Sequence, residues 1–423
     1  MFDRRRLLRH LLAAAFMLAC VVGSRHAFRA GMSRLMAETT PRLSVNTEGA
    51  DALGVAGRAV ELNASDPEAH DALAVALARR GEFDAAERAL ERAATLRPRY
   101  FRQWQRLGRA RTLTGYREGA LAAYAEAVRL APFYAEPRWQ LGNELLRGGR
   151  TAEAFAELRR AAESRPALAA YTAELAWRAY DGEARAVAGA VAPHTAQGRV
   201  ALARFFARRG RESEALEQYR AGGAEAAEGE RRSLVSDLIA AGKYRAAREV
   251  WAGDAAASSG ADAPGIGDGG FESQSSLAGA GFEWQFARDQ PAVRFSLDSA
   301  APRDGARSLL VTFGGDPDPS ARLVTKLFTV EPGARYRLVF AARSEELVSA
   351  GLPVVALLDP ADARVLAQAE PVPVKTDGWR EYQIEFTTPA DGALLIVRRS
   401  GCAVRTCPIF GRLWLDAFTL QKL

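Results

Sequence analysis

Cys402 and Cys407 stand close together in "SGCAVRTCPIF", a spacing that lets two thiols pair across a loop in an oxidising compartment. A zinc site would need further Cys or His ligands nearby. The four histidines are His10, His26, His70 and His194, and the third cysteine is Cys20, so metal binding through cysteine is disfavoured. Nucleophilic chemistry is no better served. The chain holds no P-loop, no G-x-S-x-G elbow, no H-E-x-x-H helix and no dinucleotide fingerprint. "GGDPDPS" (314–320) is acidic, but its two prolines make it a loop tip rather than a calcium loop. Three cysteines do not make a disulfide framework. The expectation is a protein that is not an enzyme.

The elements that carry these residues belong to more than one domain, because 423 residues exceed one ordinary core. Hydrophobic residues make up 48% of the chain, enough for real cores and too many for a wholly disordered polymer. Of 57 basic residues only Lys243, Lys326, Lys375 and Lys422 are lysines, and the net charge is +6. The 51 acidic residues are interleaved with the arginines, as on solvated helix faces. No basic tract is broken by stacking aromatics, so nucleic acid is not an expected partner.

"MFDRRRLLRHLLAAAFMLACVVGSRH" has a basic start and then the uncharged run 11–24, the layout of an export signal or a short membrane anchor over residues 1–26. Three readings stay open. A cleaved signal lacks a clear A-x-A site. A retained signal anchor fits the abrupt charges at Arg25 and Arg29. A lipoprotein signal fits "FMLAC", with Cys20 as the lipidated residue. Each places the bulk of the chain outside the cytoplasm, on the periplasmic face of a bacterial envelope membrane.

Beyond this segment the sequence repeats. Leu73, Leu107 and Leu141 recur at a period of 34, as do Gly81, Gly115 and Gly149; Ala86, Ala120 and Ala154; Ala93, Ala127 and Ala161; and Pro98, Pro132 and Pro166. Small Ala lets two antiparallel helices approach, Gly permits the turn between them, and Pro ends the second. Leu90, Tyr124 and Leu158 supply a larger packing residue. This pattern, with the "LG" of Leu107–Gly108 and Leu141–Gly142, closely resembles the tetratricopeptide repeat. Residues 52–65 look like the second helix of an earlier unit. "RRGRESEALEQY" and "AAGKYRAAREVW" look like degenerate later ones, with the regular period lost between Pro166 and Gly198. The array is expected over 45–252. The resemblance implies an all-α solenoid whose first helices face a groove through their second, fifth and ninth positions. Here those positions include Arg102, Gln105, Arg109, Trp139 and Asn143, a set suited to an acidic or C-terminal peptide. Asn143 resembles the carboxylate-clamping members, but the lysine they also use is absent.

Residues 253–266 are small and almost without large apolar side chains, and read as a flexible linker. After them come period-2 runs such as "RYRLVFAARS" and "WREYQIEFTTP", cut by "EPG", "TDG" and "PADG". Ten or so short strands without a helix imply an antiparallel β-sandwich over 267–423. "GGFES", "VEPGARYRLVFAAR", "DGWREYQIEFTTPADGALLIV" and "LWLDAFTL", in that order, resemble the CenC-like jelly-roll carbohydrate-binding modules. The resemblance implies a structural calcium ion at Glu272 and Asp416, although Ala417 replaces the family's second acid. It also implies a glycan site, for which Trp284, Phe286 and Trp414 are the candidate stacking platforms, with Gln285, Arg294 and Arg398 as polar partners. Trp379 reads as a packing residue.

Taken together, these features describe a membrane-associated envelope scaffold. It binds protein partners through its repeats and a glycan through its sandwich, in surface polysaccharide production, assembly or export. A scaffold with no sugar site is the alternative, and a hydrolase of envelope polysaccharide a third reading.

Overall fold

The computed structural model describes residues 4–40, 50–253, 265–273, 281–402 and 406–423. It is a helical repeat region with a β region after it. Two compact units divide the chain, Met1–Pro193 and His194–Leu423.

The first unit opens with α1 (Arg4–Thr39), one unbroken helix across the expected boundary at residue 26. Leu12, Phe16, Met17, Leu18, Val21 and Val22 lie exposed along it, while Ser33 and Ala37 further on are buried. The change has a cause. The end of α1 lies antiparallel to α2 (Ala50–Leu62), with Ser33 Oγ donating to the Ala59 carbonyl at 2.8 Å. Arg29 donates to the last carbonyls of α2, Glu61 at 3.1 Å and Leu62 at 3.2 Å, groups that a helix end leaves unpaired. Ala37 joins Ala56, Ala72 and Ala76 in one small core. The first helix missing from the sequence-level repeat at 52–65 is thus the tail of the apolar helix.

Helix pairs α3 (Pro67–Arg79) with α4 (Phe83–Leu96), α5 (Phe101–Thr114) with α6 (Arg117–Leu130), and α7 (Ala135–Arg147) with α8 (Thr151–Ser164) keep the 34-residue period. The turn within each pair is a glycine in the left-handed region: Gly81 at φ 78°, Gly115 at 82° and Gly149 at 75°. The "LG" motif has a packing reason. A Cβ on Gly108 would sit 2.7 Å from the Tyr124 ring, and one on Gly142 2.7 Å from Leu158. α9 (Leu168–Ala179) and α10 (Ala184–Val191) form a further pair around Gly182 at φ 76°, where the sequence period is lost. A device invisible in the consensus recurs at the fourth position of three first helices. His70, Trp104 and Arg138 each place a ring or guanidinium nitrogen against the carbonyl six residues earlier, Ala64 at 2.9 Å, Pro98 at 2.8 Å and Pro132 at 2.8 Å. Three unlike side chains thereby brace the same inter-repeat loop.

The second unit begins with α11 (Ala196–Ala207), α12 (Glu212–Arg220), α13 (Glu228–Ala240) and α14 (Tyr244–Ala252), whose turns again carry left-handed glycines, Gly210 and Gly242. The expected linker at 253–266 falls mostly outside the described residues. The parts on either side of it are packed together rather than free. Arg245 N–H donates to Asp391 at 3.0 Å, and the Tyr244 ring fills the place of a Cβ on Gly392.

The β region holds β1 (Gln285–Phe286), β2 (Val293–Asp298), β3 (Ser308–Gly315), β4 (Val324–Thr329), β5 (Arg335–Val348), β6 (Pro353–Leu358), β7 (Val365–Gln368), β8 (Arg380–Thr387), β9 (Gly392–Arg399) and β10 (Ile409–Lys422). They make two antiparallel sheets, ordered β1-β4-β9-β6-β7 and β2-β3-β10-β5-β8. Alternation decides which side chains fill the space between them. Tyr336, Leu338 and Phe340 of β5 and Tyr382, Ile384 and Phe386 of β8 all point into the core. Phe340 stacks between Tyr382 at 5.2 Å and Phe418 at 5.1 Å.

The "GGFES" stretch passes the bulge in β10. Phe418 N–H donates to the Gly269 carbonyl at 2.9 Å, and a Cβ on Gly269 would collide with the Phe418 carbonyl oxygen. Phe271 is fully buried beyond it, and Asp268 Oδ1 accepts Glu272 N–H at 2.7 Å and Ser273 N–H at 3.2 Å. On Gly270 the nearest atoms to a Cβ are 3.7 Å away. Gly269→Ala should therefore destabilise the protein by at least about 2 kcal/mol, while Gly270→Ala leaves the melting temperature nearly unchanged. Equal melting temperatures for the two variants would contradict this packing.

Candidate functional site

In the first unit the expected groove residues share the first-helix face. Arg102 and Arg109 are exposed, with the Arg102 guanidinium 5.9 Å from the Phe101 ring. Gln105 and Trp139 are half-buried, and Trp139 meets Tyr171 of α9 edge-on at 6.5 Å. Tyr171 is 63% exposed and joins the site unforeseen, since it sits where the period is lost. So does Arg106, ion-paired with Asp71 of the preceding repeat. Burial depresses the Arg106 pKa, and the charge of Glu68 opposes that shift. Asn143 is partly engaged within its own helix: its Nδ2 donates to the Trp139 carbonyl at 2.7 Å, using one of the two amide hydrogens a carboxylate could take. What remains is a face of two exposed arginines beside a half-exposed aromatic pair, able to hold an acidic chain by charge and stacking.

In the second unit the expected sugar platforms lie elsewhere than a platform must. Trp284 is 1% exposed, wedged between Phe271 at 4.6 Å and Phe418 at 5.2 Å, with Nε1 donating to the Asp268 carbonyl at 2.8 Å. Trp414 lies under two guanidinium groups, Arg343 at 4.7 Å and Arg412 at 5.3 Å, and donates to Asp298 at 2.6 Å. The Ala300 N–H and that bond hold the Asp298 carboxyl below its usual range. Phe286 is half-buried against Phe295 at 5.1 Å. As arranged, neither tryptophan face is open to a pyranose ring. Of the polar partners, Arg398 donates to Gln368 at 3.0 Å and Gln285 to the Gly281 carbonyl at 3.2 Å, while Arg294 pairs in register with Thr312 of β3.

Glu272 and Asp416 do come together, around the loop 303–307. Asp416 Oδ2 accepts Arg303 N–H at 2.7 Å and Asp304 N–H at 3.2 Å. Glu272 Oε1 accepts Ala306 N–H at 2.9 Å and Arg307 N–H at 3.1 Å. Burial raises the Asp416 pKa, partly offset by the amides of Ala417, Asp304 and Arg303. Amide hydrogens are the positive ends of their dipoles, and these take up Asp416 Oδ2 and Glu272 Oε1, two of the four carboxylate oxygens a cation would draw on. The donor set does not suit calcium in this arrangement, and among the described residues no cluster of three or more acidic, His or Cys ligands exists. Trp379, half-buried, ties the neighbouring Ala301 carbonyl at 3.1 Å. Cys402 and Cys407 form a disulfide, with Arg399 Nη2 2.9 Å from the Cys407 sulfur. Cys20 is an exposed free thiol on α1.

A cleft of about 730 Å³ lies between α13, α14 and the outer face of β4 and β9. Arg231, Ser236, Trp251, Glu283, Gln285, Arg322 and Thr325 line it. Beside it Lys326 is buried with Nζ 5.2 Å from the Trp284 ring centroid. Desolvation brings its pKa down to about 8, against Asp268 and Glu283, which raise it, and with Arg248, which lowers it further.

No family model matches the chain, and no curated protein matches it. Among solved structures it is similar to MamA from Desulfovibrio magneticus RS-1, at 17% identity over 46% of this chain and 93% of that one, TM-score 0.31. Pseudomonas aeruginosa pilF is similar at 19% identity over 47% and 91%, TM-score 0.34. YrrB, described as a TPR protein with an unusual peptide-binding site, is similar at 20% identity over 44% and 82%, TM-score 0.29. At these scores the likenesses carry no argument, and the repeat architecture rests on the helices and their period.

Two measurements test these environments. A lysine whose folded pKa lies below its ordinary 10.5 binds fewer protons folded than unfolded between those values, so stability rises with pH above about 8. Chemical denaturation should show that rise from pH 8 to 10, by up to about 3 kcal/mol, and Lys326→Met should abolish the slope and stabilise the protein at neutral pH. A falling slope in the native protein would contradict the buried charge. Separately, melting temperatures in excess calcium and in chelator should coincide, while Asp416→Ala lowers the melting temperature by several degrees; a calcium-dependent rise would reinstate the ion.

Proposed function

We propose that the protein is a membrane-tethered, non-enzymatic scaffold that holds a protein partner through the first-helix face of its repeats. The observation that carries this is the continuity of α1, whose exposed apolar stretch runs without a break into the helix that packs on α2. A window of α1 within Leu12–Thr39 is long and apolar enough to cross a membrane by length and composition. With Arg4, Arg5, Arg6 and Arg9 kept inside, the repeats lie outside the cytoplasm, in the bacterial envelope. The groove chemistry favours an acidic segment as the bound part of the partner. Fluorescence anisotropy with acidic C-terminal peptides and the full chain should give binding that weakens at least about tenfold, ~1.4 kcal/mol, in Trp139→Ala and in Arg109→Ala, the latter with unchanged melting because Arg109 is exposed. Affinity indifferent to both substitutions would remove the groove from the account.

A second reading, glycan binding in surface polysaccharide production, assembly or export, is favoured by one observation. Strands β3 to β10 keep the jelly-roll order, and the cleft beside them carries Trp251 among polar side chains. On this reading the sugar site is the cleft. Affinity electrophoresis of the full chain through envelope polysaccharides should show retardation that Arg322→Ala abolishes. Without retardation on any polymer, the scaffold needs no sugar site.

A further inference from the structure

The first unit carries an aromatic patch that none of the functions above uses. Phe133 is 87% exposed and Tyr134 57%, and Phe101, 5.0 Å from Tyr134, extends the patch to Tyr100. Exposed Phe in water is costly, and these lie on two successive inter-repeat loops rather than scattered. Both loops are held rigid by the braces from Trp104 and Arg138 to the carbonyls of Pro98 and Pro132. The patch is therefore presented, not frayed. Arg97, ion-paired with Glu68 at 2.7 Å, stacks over Tyr100 at 4.4 Å, and Arg99 beside it is exposed, so the positive charge of Arg99 stands next to the aromatic rings.

The position of α1 says what covers this edge. Arg29 bonds the final carbonyls of α2, and Arg34 bonds Asp66, the N-cap of α3, at 3.0 Å. The part of α1 before Arg29 thus projects past the loop 63–66, and the loops 97–100 and 131–134 are the equivalents of that loop one and two repeats on. From Ser24, where the uncharged run ends, to Arg29 is five helical rises, about 7.5 Å. The headgroup layer on one side of a bilayer is roughly 5–8 Å thick. We infer that this aromatic edge rests in the headgroup layer of the membrane that α1 spans, so that the solenoid lies against the bilayer instead of hanging from a single helix. Tyr and Phe bodies with arginine beside them suit that layer, where one end of a side chain is apolar and the other wet. The inference rests on the anchor reading of α1.

The test uses the full chain in vesicles of phosphatidylcholine and phosphatidylglycerol, with a fluorophore on a single thiol. The probe sits on native Cys20, or on Phe133→Cys or Leu113→Cys in a Cys20→Ser background. Leu113 is 58% exposed at the opposite end of α5 and serves as the distant control. Lipids carrying a spin label in the headgroup should quench the probe at 133 several-fold more than at 113, while a label deep in the acyl chain quenches the probe on Cys20. Equal quenching at 133 and 113 with deep quenching at Cys20 would overturn the inference and leave the anchor standing. Absence of deep quenching at Cys20 would overturn the anchor reading and the inference with it.

Discussion

A pair of short Ala-rich helices cannot bury its apolar face alone, and the whole solenoid depends on where its first exposed face is covered. Here the cover is the last three turns of α1. Ser33 and Ala37 are small enough to let α1 lie close against Ala56 and Ala59, and Arg29 closes the open carbonyl end of α2. One helix thereby does two jobs with opposite surface requirements. Its first half leaves large apolar side chains exposed, and its second half is a repeat helix. Removing the first half by cleavage after residue 26 would cut just before Arg29 and leave the covering turns as a short helix. That helix would match α2 in length and would depend on its packing against α2 for stability.

The second unit is held by a comparable economy at the two ends of its β region. The Asp268–Phe271 stretch threads past the β10 bulge, Glu272 and Asp416 gather the amides of one loop, and Trp284 seals the gap against Phe418. Trp284, Glu272 and Asp416, which the resemblance to carbohydrate-binding modules marks as ligands for sugar or metal, are all engaged in this closure. The sandwich is also braced from outside by α14, through Tyr244 on Gly392 and Arg245 on Asp391.

The repeats were legible because their signals are local and recurrent. A left-handed glycine every 34 residues has one physical reason, and so does a glycine facing Tyr124 or Leu158. The pair α9–α10 escaped because α10 is only eight residues long and shifts the spacing of the helices after it, though Gly182 keeps the turn. The double role of α1 was hidden by its apolar composition, which reads as a signal and masks Ser33 and Ala37. Strand alternation in β5 and β8 was readable from the side-chain pattern. The fate of Trp284 was not, since its partners Phe271 and Phe418 lie at opposite ends of the domain sequence. Nor could spacing show that Asn143 bonds its own helix, or that arginines from two strands cover Trp414.

Because the tail of α1 is the covering helix of the repeats, the apolar helix should stay on the mature protein. Intact-mass measurement of the chain isolated from its native membranes is the deciding experiment. The expected mass retains residues 4–40 in full. A mature chain beginning at Cys20 or later would overturn this, because the exposed apolar half of α1 would be gone.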